Sequence, residues 1–232
     1  DPPAILFSEE LAVLLTYDGD PRYSEIENSP YERVLNTPFA VIRRRGSDDY
    51  YLSSGKIWYT AKAALGPWTQ TNSPPKDLEQ MLADAAVDVA SPDKAPAIVT
   101  ADKPTELIVT TGKPKWQSLP GGELLYVQNT ETAWLRVLST NNMYLLLSGR
   151  WYRSKSQSGT WIFVRSDELP ESFSAIPPES NIGGLRVSVA GTQEANDAML
   201  DAQIPETAAI ERSKASFNVE YDGEPQFQKI SA

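Results

Sequence analysis

The stretch Met143-Tyr144-Leu145-Leu146-Leu147-Ser148-Gly149-Arg150-Trp151-Tyr152-Arg153-Ser154-Lys155-Ser156-Gln157-Ser158-Gly159-Thr160-Trp161-Ile162-Phe163-Val164 decides the fold. Its first five residues form an apolar, β-prone run, and Ser148-Gly149 is a turn signal. Arg150 to Lys155 alternates around Trp151, Ser156 to Gly159 turns the chain again, and Trp161 to Val164 resumes a strand. That is a three-stranded meander, and Ala133 to Leu138, ahead of Asn141-Asn142, supplies a fourth strand.

Working outward, a shift of 93 residues lays Pro3–Trp68 on Pro96–Trp161 without a gap. Pro3-Ala4-Ile5 falls on Pro96-Ala97-Ile98, Gly19 and Pro21 on Gly112 and Pro114, and Tyr23 on Trp116. Asn36-Thr37 matches Asn129-Thr130, Arg43 matches Arg136, Trp58-Tyr59 matches Trp151-Tyr152, and Gly66 and Trp68 match Gly159 and Trp161. Such register is the mark of a tandem repeat. The chain accordingly divides into module 1 (1–93), module 2 (94–186), a helical connector (187–215) and the start of a third module (216–232), where Tyr221-Asp222-Gly223-Glu224-Pro225 repeats Tyr17-Asp18-Gly19-Asp20-Pro21. A segment that short has no core of its own, so the reading expects the chain to continue or to complete another module by strand pairing.

The first half of module 2 offers four more strands, at Ala97–Thr100, Glu106–Thr110, Lys115–Leu119 and Leu124–Gln128. The expected fold is all-β with minor helices, each repeat forming two four-stranded units of about 45 residues, the size of propeller blades. Tandem small β-barrel or sandwich modules are the alternative. Apolar residues at helical spacing after Ser73-Pro74-Pro75 (Leu78, Met81, Leu82, Ala85) and after Gly191-Thr192 (Ala195, Ala198, Met199, Leu200) predict two helices that link or cap the modules. The Pro-rich segment Leu169 to Ile182 is the expected exposed linker.

Composition excludes much chemistry. The chain has neither Cys nor His, which removes thiol nucleophiles, Ser-His-Asp triads, disulfide frameworks and most zinc sites. Its formal net charge of −10 repels phosphate backbones and anionic lipid, so no nucleic-acid partner is expected. No apolar run approaches the roughly 20 residues that span a bilayer, so no membrane insertion is expected either. The one basic cluster, Arg43-Arg44-Arg45, reads as the solvent-facing end of a strand or a hairpin.

The candidate ligand-binding residues are aromatic: Tyr23, Trp58, Tyr59, Trp68, Trp116, Trp151, Tyr152 and Trp161, with Gly55, Gly66, Gly149 and Gly159 shaping the turns around them. Flat aromatic faces suit the CH groups of pyranose rings, but Trp and Tyr also fill repeat cores. Because neighbours on a strand point to opposite faces, one member of Trp58-Tyr59 is expected in the core and the other is a surface candidate. Asp18-Gly19-Asp20 has the spacing of calcium ligands, yet module 2 carries Thr111-Gly112-Lys113 there, and a β-turn accounts for both. Asp48, Asp49, Glu106 and Glu123 do not recur between the modules and show no context for a general acid, so no catalytic residue, metal or cofactor is assigned.

At Tyr144–Trp161 and its first-copy counterpart the sequence resembles bacterial repeat proteins labelled carbohydrate-binding family V/XII-like. Ser188–Thr192 and Ile204–Ala208 are similar to the connector between modules in that group. The resemblance implies an exported bacterial protein, periplasmic or extracellular. It also implies a non-catalytic module that binds polysaccharide or peptidoglycan. The alternative is a structural or protein-interaction scaffold. Exposure decides between them: three or more of Trp58, Trp68, Trp151 and Trp161 exposed and coplanar favour glycan, and all buried favours scaffold.

Overall fold

The computed structural model describes residues 2–54, 57–83 and 94–203. Gly55, the Ile204–Ala208 tract and the Tyr221–Pro225 motif therefore lie outside the described residues. Among the described residues, sixteen strands and two α-helices make a mostly β structure whose large sheets are antiparallel.

Eight strands occupy the first half: β1 (Ala4–Ser8), β2 (Ala12–Thr16), β3 (Tyr23–Glu25), β4 (Tyr31–Val34), β5 (Val41–Arg44), β6 (Tyr50–Ser54), β7 (Ile57–Ala61) and β8 (Thr69–Thr71), followed by α1 (Lys76–Ala83). The second half has β9 (Ala97–Ala101), β10 (Thr105–Val109), β11 (Trp116–Ser118), β12 (Leu124–Val127), β13 (Ala133–Val137), β14 (Asn142–Leu147), β15 (Arg150–Ser154) and β16 (Ile162–Val164), and α2 (Gln193–Gln203) closes the described chain. Both helices fall where the apolar spacing predicts them. Ser148 (φ 48) and Gly149 (φ 76) form the two-residue left-handed turn between β14 and β15, closed by the pair Leu147 and Arg150.

The partition of strands differs from the expected four-plus-four. β3 to β8 form one six-stranded meander and β11 to β16 another, while the first two strands of each half leave their own sheet. β1 runs parallel to β10 and β2 parallel to β9, with Ala4 opposite Thr105 and Ala12 opposite Ala97. Neither a propeller blade nor a closed barrel forms among the described residues. The physical reason lies in the connection: the short Glu9-Glu10-Leu11 link turns β1 into β2 without pairing them, and each finds a parallel partner in the other half of the chain.

These exchanged pairs supply the packing. Leu15 and Tyr17 of the β2 segment and Ile98 of β9 cover the inner face of the first sheet against Val34, Val41, Leu52 and Tyr59. Ile5 and Phe7 of β1 and Ile108 of β10 cover the inner face of the second sheet against Val127, Trp134, Leu145 and Tyr152. Each inner core is thus built from both halves of the chain, and neither half closes its own. The outer faces are covered too. Leu78, Met81 and Leu82 of α1 lie over Tyr31, Ile42 and Trp58 of the first sheet. On the second, Phe173, Ile176 and Val189 lie over Leu135, Tyr144 and Trp151.

That last contact corrects the reading of Leu169 to Ile182 as an exposed linker. Phe173 and Ile176 are fully buried, and 3-10 turns at Ser166–Glu168, Glu171–Phe173 and Gly183–Ser188 lay the segment across the sheet. Arg186 fixes it by donating to the carbonyls of Ser174 (2.7 Å) and Ile176 (2.8 Å) and pairing with Glu194 of α2 (2.8 Å).

Candidate functional site

The aromatic candidates pack against the covered faces of the two large sheets rather than standing on the surface. Trp58, Tyr59, Trp151, Tyr152 and Trp161 are buried; Trp68, Trp116 and Tyr23 are partly buried. The expectation that one of Trp58 and Tyr59 is a surface candidate is overturned: alternation does send the two to opposite faces, but both faces of both sheets are covered. Trp58 meets Leu78 while Tyr59 meets the β2–β9 pair, and Trp151 meets Phe173 at 5.2 Å while Tyr152 joins the β1–β10 core.

Five of the eight also have their polar atom hydrogen-bonded inside the chain, which is what a buried Tyr or Trp requires. Trp151 Nε1 donates to Ser188 O (2.6 Å), Trp68 Nε1 to Ala64 O (3.2 Å) and Trp161 Nε1 to Gln157 O (3.2 Å). Tyr59 donates to Pro96 O (2.7 Å), tying the first sheet to the strand that enters from the second half. Tyr23 and Tyr50 share a hydrogen bond of 2.8 Å, and the Arg43 guanidinium lies 3.9 Å from the Tyr23 ring centre while pairing with Glu32. Burial first, then the bond to Tyr50, pushes the Tyr23 phenol up to about 12. Within the basic cluster, then, Arg43 is half-buried and paired, and Arg44 and Arg45 are exposed.

The Asp18-Gly19-Asp20 turn is organised around a residue whose role the sequence reading did not assign. Asn36 donates its amide to the carbonyls of Asp18 and Asp20 (both 2.9 Å) and accepts from the Arg22 N–H (2.8 Å). Asn129 repeats this with Thr111 O (2.9 Å), Lys113 O (3.0 Å) and the Lys115 N–H (2.7 Å). Gly19 (φ 75) and Gly112 (φ 77) supply the left-handed backbone of the turn. The recurrence of one Asn at the 93-residue offset was the available signal. A short polar amide can plug a turn whose own side chains vary from Asp to Thr.

Two large concavities lie where the exchanged strands meet the sheet loops. One cleft of about 600 Å3 is lined by Asp18, Asn36, Asp102, Lys103, Pro104 and Glu106 among others. A second, of about 630 Å3, shares Pro3, Lys103 and Pro104 with it and extends to Gly159 and Trp161. At the other end of the exchanged block the Gly112 N–H closes onto Glu9 O at 2.8 Å.

Among the carboxylates nominated in the sequence, Lys62 and then Ser47 hold Asp49 below the usual carboxylate range, the direction opposed to a general acid. Glu123 accepts hydrogen bonds from the N–H and hydroxyl of Ser139. Among the described residues no three acids cluster as metal ligands, and no helix is long and apolar enough to cross a membrane. Compared with protein-family models, curated proteins and solved structures, the chain matches none.

Proposed function

We propose that the chain is a non-catalytic scaffold: two copies of one module, clasped by exchanged strands, presenting their outer surface to a protein partner outside the bacterial cytoplasm. The observation that carries this reading is the burial of Trp58, Tyr59, Trp151, Tyr152 and Trp161 between covered sheet faces. Aromatics so placed hold the sandwich together and offer no flat platform to a sugar ring. A protein-binding role is supported by the edge strand β16, where Ile162 and Phe163 are 44% and 53% exposed and the corresponding β8 has Thr69 and Gln70. Apolar side chains on an open strand edge suit pairing with an extended segment of another protein. The test is tryptophan fluorescence titrated with chitin and peptidoglycan fragments across a broad glycan panel. The scaffold reading expects a flat response, and a saturable change with any one glycan sinks it.

Glycan binding is the second reading, in line with the carbohydrate-binding family V/XII-like resemblance. The two contiguous clefts over Pro3, Lys103 and Pro104 favour it, because Asp18, Asp102 and Glu106 line them as acceptors for sugar hydroxyls. Such a ligand would be held by its edges rather than stacked. Under this reading D102N weakens whatever saturable binding the panel reveals.

A further inference from the structure

The matching ends of the two sheets differ in charge. At the second sheet a cavity of about 290 Å3 is lined by Asn142, Arg153, Ser154, Lys155, Thr160 and Ile162, with no acid among them. Arg153 sits between Tyr144 and Ile162 on the neighbouring strands. Among the described residues its guanidinium makes no hydrogen bond or ion pair. Lys155 Nζ reaches only a neutral acceptor, the carbonyl of Thr140, at 3.1 Å. Two other cavities also lack acids, but each is lined by a single cation, Arg33 or Lys103, whereas this one has two.

The first sheet serves as an internal control. Ninety-three residues earlier the same six places carry Asp49, Thr60, Ala61, Lys62, Pro67 and Thr69. There Lys62 pairs with Asp49, whose carboxylate also accepts from Ser47 at 2.6 Å. The ionisable pair at the first sheet sums to zero (Lys62 with Asp49), whereas the second sums to plus two (Arg153 with Lys155). Asn142 takes the place of the neutralising acid, and an extra cation replaces Thr60.

We propose that the Arg153–Lys155 cavity is a binding site for a compact tetrahedral oxyanion, a phosphate or sulfate group, free or as an ester on a larger ligand. The guanidinium offers a fork of N–H donors matched to two oxygens of such a group, and the ammonium adds a point charge. Asn142 and the Thr160 hydroxyl provide neutral donors at the rim. The cavity is about half the size of the clefts beside Pro3, which suits a single tetrahedral anion better than a ring.

The site is independent of the scaffold and glycan readings, and its failure leaves both as they stand. The test titrates the full chain with inorganic phosphate and, separately, sulfate at constant ionic strength, following arginine Nε–Hε NMR signals, with the Arg153 signal assigned by its loss in R153T. A saturable shift of that signal at millimolar anion is expected. N142D, which restores a carboxylate where Asp49 stands, should weaken binding by roughly tenfold or more through its own pairing with the cations. D49N combined with T60R should create a second saturable site at the first sheet. Phenyl phosphate binding as tightly as phosphate assigns the site to esters, and a preference for the inorganic ion assigns it to the free anion. The proposal is overturned if chloride produces the same shift, if neither anion saturates, or if N142D binds as tightly as the unaltered chain. Thermal melting of R153T and N142D, both at sites that are not fully buried, checks that the fold is retained.

Discussion

The two six-stranded sheets share strand order and pairing register, with strand bounds that agree to within one residue, but fill their inner faces differently. In the first, Arg43 lies between Glu32 and Tyr50 with Tyr23 alongside, a polar and phenolic cluster. In the second, the matching Arg136 lies between Leu125 and Met143, beside the Trp116 ring at 5.2 Å, and its Nε is buried without a hydrogen-bond partner. The outer faces diverge as well, one covered by a helix and the other by 3-10 turns. What persists is the turn chemistry: Asn36 and Asn129, and Gly19 and Gly112. The strand frame therefore depends on a few backbone-directing residues, and the chemistry laid over it varies freely.

The largest expected effect comes from tryptophan truncation, and it should be unequal. Trp151 is 1% exposed, bonded to Ser188 and edge-on to Phe173, so W151A removes a ring, a hydrogen bond and an aromatic contact together. A cost of about 3 to 5 kcal/mol is expected. Trp58, 7% exposed against the shorter cover of α1, should cost less when truncated. Urea unfolding of both variants measures this, and equal shifts in midpoint would erase the distinction between the two outer layers.

Next in size are the glycines, where matching positions act by different causes. Gly66 has φ 82, and a Cβ there would meet the Trp68 ring at 3.0 Å, so G66V combines a left-handed backbone with a clash. Gly159 needs no left-handed backbone, but a Cβ would approach Ser154 Oγ at 2.6 Å and Ser156 Oγ at 2.9 Å. Each valine should cost roughly 1 to 3 kcal/mol. Adding S156A should recover part of the loss in G159V, whereas no neighbouring truncation restores G66V fully, since the backbone strain stays. Melting temperatures of the single and double variants decide it. Full rescue of G66V by W68A would show that contact alone sets its cost.

How far the sequence discloses this architecture depends on the range of the interaction. The strands β13 to β16 follow from alternation and from the Ser148-Gly149 turn, which are local properties. The two-plus-six partition does not, because it rests on Ala4 meeting Thr105 and Ala12 meeting Ala97, pairings that no local pattern encodes. The segment from Leu169 to Ile182 reads as linker from its Pro, Ser and Glu content, while Phe173 and Ile176 are buried in the core and Leu169 and Ile182 pack against it. The spacing of three between Phe173 and Ile176 is the 3-10 period, a signal easily lost beside composition. For the aromatics, periodicity gave the facing of Trp58 and Tyr59 and was silent on what covers each face. Burial of both followed from distant strands and a helix, and so did the question of whether they form a site.

The smallest effect is the most selective, and it arises from tyrosines present in only one half of the chain. Positions 17, 23, 31 and 50 are tyrosine in the first half and Thr110, Trp116, Leu124 and Met143 in the second. Tyr23 and Tyr31 are pushed from 10.0 up to about 12, chiefly by burial and then by hydrogen bonds to Tyr50 and Asp77. Tyr17 is raised further, again by burial first. A phenol with a raised folded value is favoured in its neutral form, so its contribution is complete below pH 10 and lost as pH climbs from 10 towards about 12. Asp77 beside Tyr31 and Glu32 near Tyr23 oppose phenolate formation, and Arg43 partly offsets that effect at Tyr23. Tyr59 and Tyr152 occupy matching places and do not distinguish the sheets. Methyl NMR across an alkaline titration should show Val41 and Leu52 losing native signals at lower pH than Leu135 and Leu145. Simultaneous loss would mean that the exchanged strands β1, β2, β9 and β10 couple the two cores into one cooperative unit, and that the chemistry differing between the sheets is subordinate to the clasp that joins them.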